Sequence, residues 1–187
     1  MQNTKPFCLN PKKFKVFVLG ADPSNKTING KEANQLEYAF GILSDETRYF
    51  EGILKNLNRI GLHLEDLYVQ NVIPEYLNEE TGNNKDWEKQ ADKWLPHLKK
   101  ELEYVEPLKK KPVFITAERI MKFLVNDGFT LPKAESIYSE QAGELFVVDQ
   151  ADNKLERNLI AFYRHPKYNL SKNEHYRNLL VELLKSK

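Results

Sequence analysis

The chain has 187 residues, of which 41% are hydrophobic and 29% are charged, and its formal net charge is +1. This composition excludes an intrinsically disordered chain, and every apolar run is shorter than the roughly 18 residues that a transmembrane helix needs. The length suits a single domain over residues 1–187, and the single cysteine, Cys8, excludes an internal disulfide. Because residues 1–8 lack the apolar segment of a secretory signal, we expect a cytoplasmic protein.

Residues 14–20 predict a buried strand, because the run is rich in β-branched and aromatic residues and too short for a helix. Gly20 and Pro23 predict a sharp turn after this strand, and Asp22 lies between them. Open α/β sheets bind ligands at the carboxyl ends of their strands. Asp22 is therefore a candidate catalytic carboxylate, although an aspartate before proline also commonly caps its own turn.

Strand and helix patterns alternate along the rest of the chain. Further strands are predicted at 66–74, 112–116, 144–148 and 158–163, and the last two are joined by a polar turn. Helical spacing of apolar residues occurs at about 50–60, at 86–106, after Thr116 and at 171–184. This alternation predicts βαβ units and an α/β fold with a mostly parallel sheet.

Three of the predicted strands end in a polar residue close to a proline, namely Asp22, Asn71 and His165. Because the ends of parallel strands share one edge of a sheet, we expect an acid, an amide and an imidazole to converge in one pocket suited to binding and proton transfer. The sequence has no glycine-rich phosphate loop, no G-x-S-x-G elbow and no metal-spaced histidine pair. We therefore expect neither a nucleotide cofactor nor a metal.

Charge is distributed unevenly despite the balanced total. Residues 75–106 are acidic and predict a solvated helix, whereas residues 164–177 are basic through Arg164, Lys167, Lys172 and Arg177. A phosphate backbone can lie against such a basic segment, although a solvated basic face is the commoner explanation.

Three segments resemble the motifs of the uracil-DNA glycosylase superfamily. They are Val18-Leu19-Gly20-Ala21-Asp22-Pro23, Tyr68-Val69-Gln70-Asn71 and Phe162-Tyr163-Arg164-His165-Pro166, and the resemblance covers residues 14–184 by order and spacing. It implies a three-layer α/β/α sandwich with a short, mainly parallel four-stranded central sheet. It also implies a monofunctional DNA glycosylase that acts as a monomer on uracil-containing or otherwise damaged DNA, with water as the nucleophile and no cofactor.

The resemblance assigns catalytic roles to Asp22, which aligns or deprotonates the water, and to His165, which stabilises negative charge on the departing base. Asn71 matches the amide that reads the flipped base, and Phe40 resembles the aromatic residue on which that base stacks. Ala21 and Ser24 match two further positions of the base pocket. Ala21 replaces a glutamine or glutamate, and Ser24 replaces a tyrosine that rejects thymine, so strict uracil specificity does not follow.

We expect DNA contacts around the His165 turn and the start of the following helix, because backbone N–H groups and basic side chains can both approach phosphates there. Arg164, Lys167, Lys172 and Arg177 are the expected phosphate contacts. After His165 the sequence departs from the family pattern, so the wedge that fills the place of the flipped base is either Tyr168 or Leu170.

Two other functions fit the same residues. A non-catalytic relative would bind a nucleobase, nucleotide or single strand without cleaving a bond. An unrelated α/β enzyme would act on a small metabolite, with Asp22 and His165 as acid and base, and would have no affinity for DNA. Formation of abasic sites in uracil-containing DNA separates these alternatives from a glycosylase.

Overall fold

The computed structural model describes residues 3–23, 36–44, 48–77, 79 and 81–185. The strands are β1 (Val16–Gly20), β2 (Leu67–Asn71), β3 (Val113–Ile115), β4 (Val147–Val148) and β5 (Leu159–Ala161). The helices are α1 (Arg48–Arg59), α2 (Trp87–Val105), α3 (Glu118–Leu124), α4 (Ala134–Ile137) and α5 (Glu174–Lys185). The chain is a mixed α/β protein, as the sequence predicts.

One sheet joins all five strands in the order β2-β1-β3-β5-β4. The pairs β1–β2, β1–β3 and β3–β5 are parallel, and β4 pairs antiparallel with β5. The mostly parallel sheet is therefore confirmed, and the arrangement is consistent with a three-layer sandwich. The count of four strands implied by the resemblance is wrong for the described residues, because Val147 and Val148 pair with β5 as a short fifth strand.

β1 is buried at all of its positions because it has a neighbouring strand on each side. Next to it, β2 presents Tyr68 and Gln70 to α2, where both side chains donate hydrogen bonds to Glu101, at 2.6 Å from the tyrosine hydroxyl and 3.1 Å from the glutamine amide. Side chains alternate between the faces of a strand, so Val69 and Asn71 lie on the other face. One face of β2 therefore packs against α2, and the other face carries Asn71 at the end of the strand.

The outer side of β2 is covered by the N-terminal segment. Phe7 and Val69 exchange two backbone hydrogen bonds of 2.8 Å. Lys5, two residues earlier, donates its backbone N–H to Glu37 and accepts one from Ala39. These contacts hold the short 3₁₀ turn Ala39–Gly41 beside the sheet, and that turn carries Phe40.

Candidate functional site

Polar residues follow the strands at one edge of the sheet. Because β2, β1, β3 and β5 run parallel, their carboxyl ends lie together. Asn71 is the last residue of β2, Asp22 follows β1, and His165 follows β5. The structure thus brings the acid, the amide and the imidazole to the same edge.

Asp22 is held by one of its two carboxylate oxygens. Oδ1 accepts hydrogen bonds from the hydroxyl of Thr81 at 2.5 Å and from the indole Nε1 of Trp87 at 2.8 Å. Oδ2 is buried and has no hydrogen-bond partner among the described residues. The fixed carboxylate therefore keeps one oxygen available to accept a proton or to orient a water molecule.

Burial raises the pKa of Asp22, because an ionised carboxylate loses hydration inside the protein. The hydrogen bonds from Thr81 and Trp87 act in the opposite direction, as do the positive charges of Arg119 and Arg164, but burial prevails. A carboxylate with a raised pKa is a stronger base than an exposed aspartate.

Arg119 fixes the segment that carries Thr81. Its guanidinium pairs with both carboxylate oxygens of Glu88 at 2.8 and 2.7 Å and donates to the backbone carbonyls of Thr81 and Asn84. Thr81 and Arg119 belong to no motif in the sequence, and the apolar pattern around Trp87 predicts only a core residue. Trp87 is indeed fully buried, but an apolar pattern gives no information about where its indole N–H is directed.

Gly20, Asn71 and Phe40 meet on the face of the sheet opposite to α2. A Cβ atom on Gly20 would lie 2.4 Å from Cζ of Phe40 and 2.5 Å from Oδ1 of Asn71. Nδ2 of Asn71 is buried without a hydrogen-bond partner among the described residues. An unsatisfied buried amide beside an aromatic ring is suited to a planar ligand that carries a hydrogen-bond acceptor.

The backbone on both sides of this contact is restrained. Phe40 has a φ of 59°, a left-handed conformation that is uncommon for a residue with a side chain and that is retained where surrounding contacts enforce it. The backbone N–H of Asn71 donates to Oε1 of Gln70 at 3.0 Å, and Gln70 is itself held by Glu101. The backbone of both residues is therefore restrained before any ligand binds.

His165 is exposed and begins the 3₁₀ turn Pro166–Tyr168. Its Nδ1 accepts the backbone N–H of Lys167 at 3.2 Å. In a neutral imidazole, a nitrogen that accepts a hydrogen bond leaves the proton on the other nitrogen. Neutral His165 therefore carries its proton on Nε2 and can donate it to an acceptor.

The pocket beside His165 has a volume of about 480 Å³, and its lining includes Tyr163, Arg164 and Tyr168 but neither Asp22 nor Asn71. Its wall includes a buried hydroxyl, that of Tyr163, which has no hydrogen-bond partner among the described residues. The acid and the amide share an edge of the sheet with the imidazole but do not line the pocket beside it. That all three line one pocket stays a prediction.

The remaining predicted site residues lie in different environments. Ala21 is half-buried, and its carbonyl accepts the N–H of Ile73. Ser24 lies outside the described residues. Arg164, Lys167 and Lys172 are exposed, and Lys167 pairs with Glu135 at 2.9 Å.

The two candidate wedge residues differ in exposure. Leu170 is 2% exposed, and its backbone N–H donates to Oδ1 of Asn56 in α1 at 3.2 Å. Tyr168 is half-buried, and its hydroxyl donates to Glu135 at 3.3 Å. Leu170 therefore lies in the core of this structure and Tyr168 is the more accessible of the two, whereas the identity of the wedge stays a prediction.

No protein-family model matches the chain, and no curated protein is significantly similar to it. Within the ranges that the structure describes, no helix is long and apolar enough to cross a membrane. Across those same residues, no cluster of three or more His, Cys, Asp or Glu side chains is arranged to hold a metal ion.

Proposed function

We propose that this chain is a monofunctional DNA glycosylase of the uracil-DNA glycosylase superfamily. Its substrate is uracil or a related damaged base that has been flipped out of DNA, and its nucleophile is water. One observation carries the proposal: Asp22 and Asn71, at the ends of two paired strands, each have a buried polar atom without a partner among the described residues. An unpartnered carboxylate oxygen and an unpartnered amide N–H are the groups that water activation and base recognition require.

The fold supports this assignment. The superfamily implies a three-layer α/β/α sandwich, and the four parallel strands of this chain supply a short central sheet whose carboxyl ends carry the motif residues. In this proposal β4 is a short addition at the edge of that sheet, on the side away from Asp22 and Asn71.

In the proposed reaction, Oδ2 of Asp22 orients a water molecule and accepts its proton while the water oxygen bonds to C1′ of the deoxyribose. The bond between C1′ and the base nitrogen breaks, and its electron pair leaves with the base, so negative charge develops on O2 of uracil. His165, with its proton on Nε2, donates a hydrogen bond to that oxygen. A neutral imidazole can serve here because Nδ1 already accepts the N–H of Lys167.

Asn71 would select the base. Its Nδ2 can donate to O4 of uracil, and its Oδ1 can accept the N3–H. Cytosine has an amino group in place of O4 and an acceptor at N3, so it mismatches both contacts. The Phe40 ring supplies the stacking surface, and binding requires that ring to separate from Gly20 or to receive the base on its other face.

DNA would approach along the exposed turn after His165. Arg164, Lys167 and Lys172 would contact phosphates, and Tyr168 would fill the place of the flipped base. Arg164 is also close enough to Asp22 to lower the pKa of its carboxyl. The DNA path therefore lies at the same edge of the sheet as the proposed base.

The test is an assay for abasic-site formation with single- and double-stranded oligonucleotides that contain uracil, hypoxanthine, xanthine or a thymine mispair. We expect excision of at least one of these bases, and excision by Asp22→Asn that is slower by about 10²–10⁴-fold. The Asp92→Asn variant is the matched control, because Asp92 is an exposed aspartate on α2. Parent protein that leaves every substrate intact would exclude the proposed activity.

The absence of Asp22 and Asn71 from the lining of the pocket beside His165 favours a second candidate, which is a nucleobase-binding protein without catalysis. Such a protein would bind uracil or a single strand through Phe40 and Asn71. Binding of the same oligonucleotides without cleavage identifies it.

A further inference from the structure

A large groove lies at the amino edge of the sheet, opposite to Asp22. Its volume is about 1150 Å³, and its walls come from residues 14–15 before β1, 59–62 at the end of α1, 108–112 before β3, Gln150, Asn158, and the last turn of α5. We call this feature the basic groove.

The lining of the basic groove carries one sign of charge. Its described lining residues include six cations and no acid; the cations are Lys15, Arg59, Lys109, Lys110, Lys111 and Lys185. The ends of α1 and α5 account for two of these, since the negative end of a helix dipole favours a nearby cation. Carboxylates outside the groove pair with two others, Lys15 with Asp66 and Lys109 with Glu103 and Glu156.

Lys111 is partly buried in the groove. Its Nζ lies 3.7 Å from the ring centroid of Phe14, and burial lowers its pKa although the nearby carboxylate of Glu106 acts in the opposite direction. A carboxylate brought into the groove would compensate for the hydration that this ammonium group has lost. An anionic ligand would therefore interact favourably with the positive charges of the groove.

The floor of the basic groove is apolar. Ile60 and Leu62 are 5% and 2% exposed, and Val181 and Leu184 of α5 continue the same surface. At the rim Leu108 is 70% exposed, beside the lysines of residues 109–111. An occupant that gains from the whole groove must therefore combine anionic groups with an apolar side chain.

We propose that the basic groove binds an acidic peptide segment of a partner protein, with carboxylates contacting the lysines of residues 109–111 and an apolar side chain against Leu108 and the floor. A peptide fits better than a small ligand, because the groove exceeds the roughly 300–1,000 Å³ of usual small-molecule pockets and its cations come from separate segments. Nucleic acid fits less well, since Phe14 is 1% exposed and cannot stack on a base, and a phosphate backbone would leave Leu108 and the apolar floor without an apolar partner.

The test measures fluorescence anisotropy of three labelled synthetic peptides with the whole chain. The first peptide alternates Glu and Asp around two Leu residues, the second has Gln in place of each acid, and the third has Ser in place of each Leu. We expect micromolar affinity for the first, and at least about tenfold weaker binding of the other two.

Two variants locate the binding. Lys110→Glu/Lys185→Glu and Leu108→Ser should each weaken binding of the first peptide about tenfold or more. All three positions are exposed, so these substitutions should not disturb the core. The Lys89→Glu/Lys93→Glu variant on α2 changes the charge equally at exposed positions outside the groove and should bind normally. Base excision should be unchanged in all of them, because the groove lies at the edge opposite to Asp22.

Five results would overturn the proposal. Four of them are no binding of the first peptide at about 1 mM, equal binding of the Gln peptide, an equal loss of binding in the α2 variant, and displacement of the peptide by oligothymidylate at equal concentration. Concentration-dependent dimerisation that the groove variants abolish would also overturn it, by assigning the groove to a second copy of the chain.

Discussion

The indole N–H of Trp87 donates a hydrogen bond of 2.8 Å to Oδ1 of Asp22, which is 65 positions earlier in the chain. The first residue of α2 thereby fixes the carboxylate that follows β1. With Oδ1 held, Oδ2 is the oxygen to which the proposed function assigns proton transfer, and it is buried and without a partner in the described structure.

Replacement of that oxygen is the most direct test of catalysis. In Asp22→Asn, Oδ1 can still accept from Thr81 and Trp87, but the amide cannot accept a proton in place of Oδ2. We expect the excision rate to decrease about 10²–10⁴-fold with DNA affinity nearly unchanged. Single-turnover kinetics beside Asp92→Asn measure this, and a parent-like rate in Asp22→Asn would leave Asp22 as a turn residue only.

The same substitution should stabilise the fold as pH rises. Asp22 has a pKa of about 3.9 in the unfolded chain, and burial raises its pKa in the native state. Between the unfolded and the native pKa, the native state therefore binds more protons than the unfolded state. The free energy of unfolding of the parent protein falls as pH rises through this range. An asparagine side chain does not ionise, so the Asp22→Asn variant does not lose stability in this way. Its melting temperature should exceed that of the parent by a difference that grows from pH about 4 upward and then stays constant. A margin independent of pH would contradict the raised pKa.

Thr81→Val tests the positioning of Asp22. The variant preserves volume and removes one hydrogen bond to the ionised carboxylate, so the pKa of Asp22 should rise further. In a plot of excision rate against pH, the acidic limb should shift to higher pH together with the pKa of Asp22. At pH values above this limb, the excision rate of the variant should be close to that of the parent. Thr130→Val, at an exposed position, is the control. A uniform decrease at every pH would instead indicate local misfolding.

Gly20→Ala tests the contact between Phe40 and Asn71. The new methyl group would overlap both side chains, so we expect a stability loss of about 1–3 kcal/mol and weaker base binding. Gly52→Ala in α1 meets no atom within 4 Å and should raise stability by about 0.5–1 kcal/mol. Urea unfolding and excision kinetics of both variants provide the comparison. If Gly20→Ala keeps the stability and the excision kinetics of the parent, Phe40 and Asn71 can move apart to admit the methyl group.

The DNA path can be tested by the salt dependence of binding. Lys167→Ala/Lys172→Ala should reduce the slope of log affinity against log salt by about 1–2 units, whereas Lys12→Ala/Lys13→Ala, two exposed lysines before β1, should not.

The ion pair with Lys167 lowers the pKa of Glu135 to about 2. Glu135→Gln should therefore strengthen binding, because Lys167 no longer pairs with a competing carboxylate. Titrations of a fluorescent duplex at several salt concentrations measure all three variants.

The strands and their polar ends could be predicted from the sequence because they are local features. A fully buried parallel strand gives a short apolar run, and Gly20 and Pro23 mark where the first run ends. Once the strands are parallel, the shared edge of Asp22, Asn71 and His165 follows from direction alone.

The partners of Asp22 could not be predicted in this way. Thr81 and Trp87 are 59 and 65 positions from it, and only the path of the chain brings them together. The same limit applies to Phe40, whose left-handed backbone has no marker in its residue type. Leu170 and Tyr168 are both apolar enough for a wedge, and their separation into core and surface depends on the direction of one turn.

The two margins of the sheet have a consequence for aggregation. On one margin Phe7 already occupies the outward hydrogen-bonding groups of Val69 in β2, and on the other β4 is only the two residues Val147–Val148 long. Strand edges that are covered or very short offer a poor template for pairing with another molecule. Proteolytic loss of the segment around Phe7 would expose β2, so the amino-terminal residues act as a safeguard against β-mediated self-association.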